Sequence, residues 1–116
     1  MLSLPVFVIS HRRECRLLPL PQLPTRVPIY DTHAAAWAEV QQFHADPAIL
    51  QINSLAQLRE WLNTAHVPEV CLARGCDGTG QVEWTWCGPL TDFLDRLGVM
   101  EALEATEFAG KPRQAG

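Results

Sequence analysis

The stretch 67–88, VPEVCLARGCDGTGQVEWTWCG, limits what this chain can fold into more than any other. It holds three of the four cysteines, two of the four tryptophans and four of the seven glycines. Val70 and Leu72 before the glycines, and Val82, Trp84 and Trp86 after them, recur at period two between Cys71, Ala73, Glu83 and Thr85. That alternation predicts a β-hairpin over about 69–87 with its turn in the run Gly75-Cys76-Asp77-Gly78-Thr79-Gly80. The five apolar residues are expected on one face, where Trp84 and Trp86 complete a core if a helix covers them and form a docking patch if none does, the core being preferred. Cys71, Glu83, Thr85 and Cys87 fall on the other. Arms folded about Gly78 put Cys71 across from Thr85 and leave Cys87 diagonal to it, roughly 7–8 Å away and outside disulfide reach.

An isolated hairpin is marginal in water, so it needs partners. Leu4, Val6, Phe7, Val8 and Ile9 form a continuous apolar run rich in β-branched residues, the pattern of a strand covered on both faces. This strand is expected to join the hairpin, with Pro5 at its start or edge. Pro19, Pro21, Pro24 and Pro28 then make an extended connector, in which Cys15–Leu18 can pair briefly as a second strand and Val27–Tyr30 is another short extended piece. The spacing of Pro21 and Pro24 fits a polyproline ligand. It equally fits a loop packing Leu20 and Leu23 on the core, and that reading is preferred because the spacing specifies little.

Asp31 and Thr32 can cap a helix to about Ala45, with Ala36, Trp37, Val40 and Phe43 as a buried stripe and His33 and His44 at its margins. Asp46-Pro47 breaks that pattern, and Ala48–Ile52 reads as either short strand or loop. Ser54-Leu55-Ala56-Gln57 is a capping box for a second helix whose apolar side is Leu55, Leu58, Trp61, Leu62 and Ala65. Gly88-Pro89 begins a third, with Leu90, Phe93, Leu94 and Leu97 inward. Gly98 closes it in the left-handed conformation, and Val99, Met100, Leu103 and Phe108 form a short fourth. The expected fold class is α+β: a small antiparallel sheet, the N-terminal strand plus the hairpin, with three to four helices on one face. Residues 1–109 are expected to form a single globular domain and 110–116 a flexible tail.

At 116 residues and 47% hydrophobic, the chain matches one modest core. The net charge of −4 gives no footprint for nucleic acid or an anionic membrane. The apolar opening is too short to span a bilayer, and its charge order is wrong for a secretory signal, so a cytoplasmic protein with free thiols is expected. Arginine outnumbers lysine eight to one, which points to a GC-rich bacterial or mobile-element gene. Charge is also segregated. Arg12, Arg13, Arg16 and Arg26 face only Glu14 before Tyr30, whereas from Asp77 to Glu107 the acids Asp77, Glu83, Asp92, Asp95, Glu101, Glu104 and Glu107 face only Arg96.

The chemistry-bearing residues form no specific motif. His66, Cys71, Cys76 and Cys87 are the one set that could hold zinc, but their spacing lacks the close pair of structural sites. Cys76 or Cys15 could serve as a nucleophile only with a base, and none of His11, His33, His44 or His66 sits in a supporting signature. The glycine run lacks the lysine and following helix of a phosphate loop, and one acid is too few for calcium. There is no serine-hydrolase elbow, and Asp92 and Asp95 on one helical turn read as solvent-facing. No cofactor is implied. By elimination the sequence reads as a non-enzymatic binding or inhibitory protein acting by protein–protein interaction, phage- or plasmid-encoded and directed at a host complex. Its expected partner-binding residues are Asp92, Asp95, Glu101 and Glu104 with Trp84 and Trp86, and the partner is a protein. A zinc-stabilised regulatory module and a small cysteine-dependent enzyme stand as alternatives.

Overall fold

Apolar residues at consecutive positions in a strand must be covered from both sides, and the N-terminal run meets that demand by becoming an inner strand. The computed structural model describes residues 4–44, 46–65, 67–75 and 82–110, with side chains as far as Leu103. Strands β1 (Val6–His11), β2 (Arg26–Tyr30), β3 (Pro47–Ile52), β4 (Glu69–Gly75) and β5 (Val82–Pro89) form one sheet in the order β3-β1-β2-β4-β5. Helices α1 (His33–Val40), α2 (Leu55–Leu62) and α3 (Leu90–Gly110) complete the fold. The class is α+β, as expected, but the sheet is mixed. β1 pairs antiparallel with β2 and β3, β4 with β5, and β2 runs parallel to β4. The parallel pair arises because α1, β3 and α2 intervene between β2 and β4, a crossover that returns the chain in the same direction. The first strand shares the hairpin's sheet without touching it, because β2 lies between.

Helices cover both faces rather than one. Val6 and Val8 join Val27, Ile29, Ile52 and Val70 beneath α2 and α3, in a core with Leu58, Leu62, Phe93 and Leu97. Phe7 and Ile9 point the other way, into a second core with Tyr30, Ala35, Ala36, Phe43 and Ala73 beneath α1. Alternate residues of β1 therefore feed two cores, as period two requires. The proline connector packs Leu20 inward and leaves Leu23 exposed.

Local signals place the helix starts. The Thr32 hydroxyl accepts from the Ala35 N–H at 3.1 Å, while Asp31 accepts from Gly75 N–H instead of capping. Helix α1 ends at Val40, short of Ala45, and Trp37 is 59% exposed, stacked on His33, not part of a buried stripe. The Ser54 hydroxyl accepts from Gln57 N–H as the capping box predicts, but the Gln57 amide oxygen accepts from Asn53 N–H, one residue outside the box. Helix α3 does not stop at Gly98. It runs 21 residues from Leu90, about 31 Å, so the third and fourth expected helices are one. Gly98 sits inside the helix on the side of α2, where a Cβ would meet Arg59 Nη2 at an ordinary 3.6 Å.

The hairpin register differs from the expected one in a way that matters for the site. Gly75, Arg74 and Ala73 oppose Val82, Glu83 and Trp84, but Leu72 opposes Trp86 and Cys71 opposes Cys87. Thr85 is the extra residue of a β-bulge, its hydroxyl donating to the Leu72 carbonyl at 3.4 Å. Trp84 therefore pairs with Ala73 on the α1 face, its ring 6.5 Å from Tyr30, whereas Trp86 pairs with Leu72 on the α2/α3 face. The single apolar face expected of Val70, Leu72, Val82, Trp84 and Trp86 is split between two sides of the sheet. Residues 76–81 of the hairpin, with Cys76, lie outside the described residues, as do His66 and residues 111–116 of the expected tail, whose first residue, Gly110, belongs to α3.

Candidate functional site

Between β5 and α3 the two layers diverge and leave a half-open groove of about 680 Å³. Leu72, Thr85 and Trp86 form its sheet side; Phe93, Val99, Met100 and Leu103 form the apolar part of its helix side. Two stripes on α3 build it. Phe93, Leu97 and Met100 recur at helical spacing and pack into the core, while Arg96, Val99 and Leu103 form an adjacent stripe along the opening. Val99 and Leu103 remain 60% and 58% exposed. Large apolar side chains this open on adjacent turns, next to a concave apolar surface, are the kind of patch a soluble chain reserves for a contact.

Trp86 forms part of the groove wall because Gly88 allows it. A Cβ on Gly88 would come within 2.6 Å of Trp86 Cζ2, so the indole occupies the space a side chain two residues on would fill. The ring lies 5.8 Å from Phe93, and the Arg96 guanidinium sits 5.0 Å above it. Asp95 lies at the rim and Asp92, one turn earlier, is exposed. Strand β5 is the last in the sheet order, so its outer edge pairs with no strand among the described residues.

The residues expected to bind a partner fare differently. Trp86, Asp92 and Asp95 lie at or beside the groove. Trp84 lies on the opposite face. Glu101 is engaged: its carboxylate accepts from Arg59 Nη2 at 2.6 Å and Nε at 2.9 Å, tying α3 to α2. Glu104 belongs to α3, but its side chain lies outside the described residues. Arg96, Val99, Leu103 and Thr85 are not among the expected partner-binding residues; Val99 and Leu103 read from the sequence as the apolar side of a separate helix. The signal was present in α3, where two apolar stripes overlap and one helix face cannot bury both.

Of the zinc set, Cys71 and Cys87 come together and His66 and Cys76 lie outside the described residues. Among the described residues no three His, Cys, Asp or Glu side chains converge on one point. The sulfurs of Cys71 and Cys87 are 2.7 Å apart, which replaces the expected diagonal placement: the bulge makes the two residues direct cross-strand partners. Burial, and then the hydrogen bond with Cys87, pushes the Cys71 thiol up to about 12, against the pull of the nearby Arg26 guanidinium. Arg26 is itself held charged by Glu69, 3.3 Å away. Cys15, the other nucleophile considered, is exposed in the loop after β1. No described helix is long and apolar enough to cross a membrane. Compared with known proteins, the chain matches no family model, no curated sequence and no solved structure.

Proposed function

We propose that this protein is a non-enzymatic binding protein that restrains a larger partner complex by docking on it through the β5–α3 groove. The observation that carries the reading is the open apolar wall of α3, Val99 and Leu103, facing Trp86 across a concavity. Its volume suits a few apolar side chains of a protein segment rather than a polar metabolite, since among the described residues its lining offers only Thr85, Asp95 and Arg96 as polar groups. The free edge of β5 can extend the sheet by one strand of the same segment. Asp92 and Asp95 favour a basic residue beside the segment's apolar anchors.

The test uses the tagged full chain and host lysate, with captured proteins identified by mass spectrometry. A Val99→Asp, Leu103→Asp double variant places charge in the groove at exposed positions, so its thermal midpoint should stay near that of the parent. A partner retained by the parent and lost by the double variant, and weakened by Asp95→Lys, supports the reading. A partner held equally by all three proteins refutes the groove as the docking site.

A further inference from the structure

Cys71 and Cys87 face each other across an antiparallel ladder, and their environments differ sharply. Cys71 is 1% exposed, whereas Cys87 is open to solvent. Opposed residues in such a ladder have Cα atoms about 4.5–5.5 Å apart, inside the span a disulfide bridges. The two sulfurs are already in contact. Arg26 and Glu69, on the neighbouring ends of β2 and β4, are the charged groups beside them.

We propose that Cys71 and Cys87 form a thiol–disulfide exchange site, oxidised by small disulfides of the glutathione class to an intrachain bridge between β4 and the edge strand β5. Access sets the order of events. The Cys87 thiolate attacks one sulfur of the glutathione disulfide, forming a mixed disulfide and expelling one glutathione thiolate. Cys71 then gives up its proton and attacks Cys87 Sγ, breaking the mixed disulfide and releasing the second glutathione thiolate. Two protein thiols lose two electrons and two protons, and one small disulfide becomes two thiols. Excess reduced glutathione runs the same steps backwards.

Burial makes Cys71 the slow partner, because only its thiolate can resolve the mixed disulfide. Bridge formation should therefore accelerate as pH rises across the neutral range, with Arg26 as the positive charge that lowers the barrier. The bridge lies next to Trp86 and three residues before α3 begins, so closing it fixes the strand that carries the groove's aromatic wall.

The experiment uses the full chain with Cys15→Ser and Cys76→Ser, which leaves only the proposed pair. The protein is held in oxidised glutathione, quenched with an alkylating reagent, unfolded, and weighed intact. The expected product is a monomer lighter by two hydrogens, with neither thiol open to alkylation and a higher thermal midpoint than the reduced form. Adding Cys71→Ser should stop the reaction at a glutathione adduct on Cys87. If that variant does not fold, Cys87→Ser, at an exposed position, should leave Cys71 unreacted and unbridged. A lasting glutathione adduct in the parent with Cys71 still free, a bridge formed only between chains, or no reaction of the folded protein would overturn the proposal.

Discussion

Tyr30 is fully buried, yet its hydroxyl has no hydrogen-bond partner among the described residues. Burial, and then the nearby Glu39 carboxylate, pushes its ionisation far above the usual tyrosine range, so the group stays neutral. A buried donor without a partner costs about 1–3 kcal/mol, the hydrogen bond to water it gave up on folding. Tyr30→Phe deletes that oxygen and keeps the ring, which packs with Phe7, Ala35, Ala36 and Ala73. The gap of one atom takes back part of the gain through lost dispersion contacts. The net expectation is a stabilisation of about 1 kcal/mol, or about 4 °C in midpoint for a chain of this length. Urea unfolding followed by tryptophan emission reads it directly, because Trp84 lies 6.5 Å from the Tyr30 ring. The midpoint should rise with the slope unchanged. A fall of about 1 kcal/mol would mean that the hydroxyl is bonded, to ordered water or to a residue outside those described, and the reasoning would fail.

Gly98→Ala should stabilise by about 0.5–1 kcal/mol, since it removes a helix-interior glycine; a Cβ there meets Arg59 Nη2 at an ordinary 3.6 Å, and a loss of stability in thermal melts would show that α2 and α3 pack more tightly than this. Glu101→Gln should cost about 0.5–1 kcal/mol, more at low salt than at high, because it leaves the half-exposed Arg59 without its carboxylate. The same substitution should leave partner capture unchanged, which separates Glu101 from Asp95. Burial raises the pKa of Glu39 from its ordinary 4.5 more than the hydrogen bond from Gln42 lowers it. A raised carboxyl favours the folded state while protonated, so its contribution is present below 4.5 and lost as pH rises through the folded value. Urea midpoints of the parent, measured against those of Glu39→Gln over that window, should therefore fall as pH rises; the opposite slope would reject burial as the dominant cause.

Much of the fold was legible because its signals are local. The Ser54 cap, the Thr32 cap, the hairpin arms and the doubly covered N-terminal strand each rest on residues within one element. What escaped notice depends on distant parts of the chain. Arg26–Tyr30 contains Pro28 and reads as connector, but it becomes an inner strand because β1 and β4 lie on either side of it. Pro28 opposes Cys71 there, at a position that gives the ladder no donor. Gly98 reads as a helix stop because glycine usually closes helices, yet the chain continues helical through it to Gly110, with Arg59 of α2 at ordinary contact distance. Helices on both faces follow from the same cause. A continuous apolar strand demands two covers, and only one was drawn for the sheet as a whole.

The candidate site was misread through a single residue. The sequence fits a hairpin folded about Gly78, in which Trp84 and Trp86 share a face and Cys87 stands apart from Cys71. Near the turn the actual register is displaced by one, so Ala73 meets Trp84, and a displacement of one moves a whole set of side chains to the other side of a sheet. Thr85 then adds a second residue to the same arm, which restores the original parity beyond it. That correction sends Trp86 toward α3 and brings Cys87 level with Cys71. Groove and thiol pair are thus two consequences of one bulge, set by strand pairing and not by any property of the cysteines or tryptophans themselves. Bulges are over-represented at sheet edges, where one strand has no second neighbour to hold its register. Among the described residues β5 is such a strand, and that edge is what the proposed partner would extend.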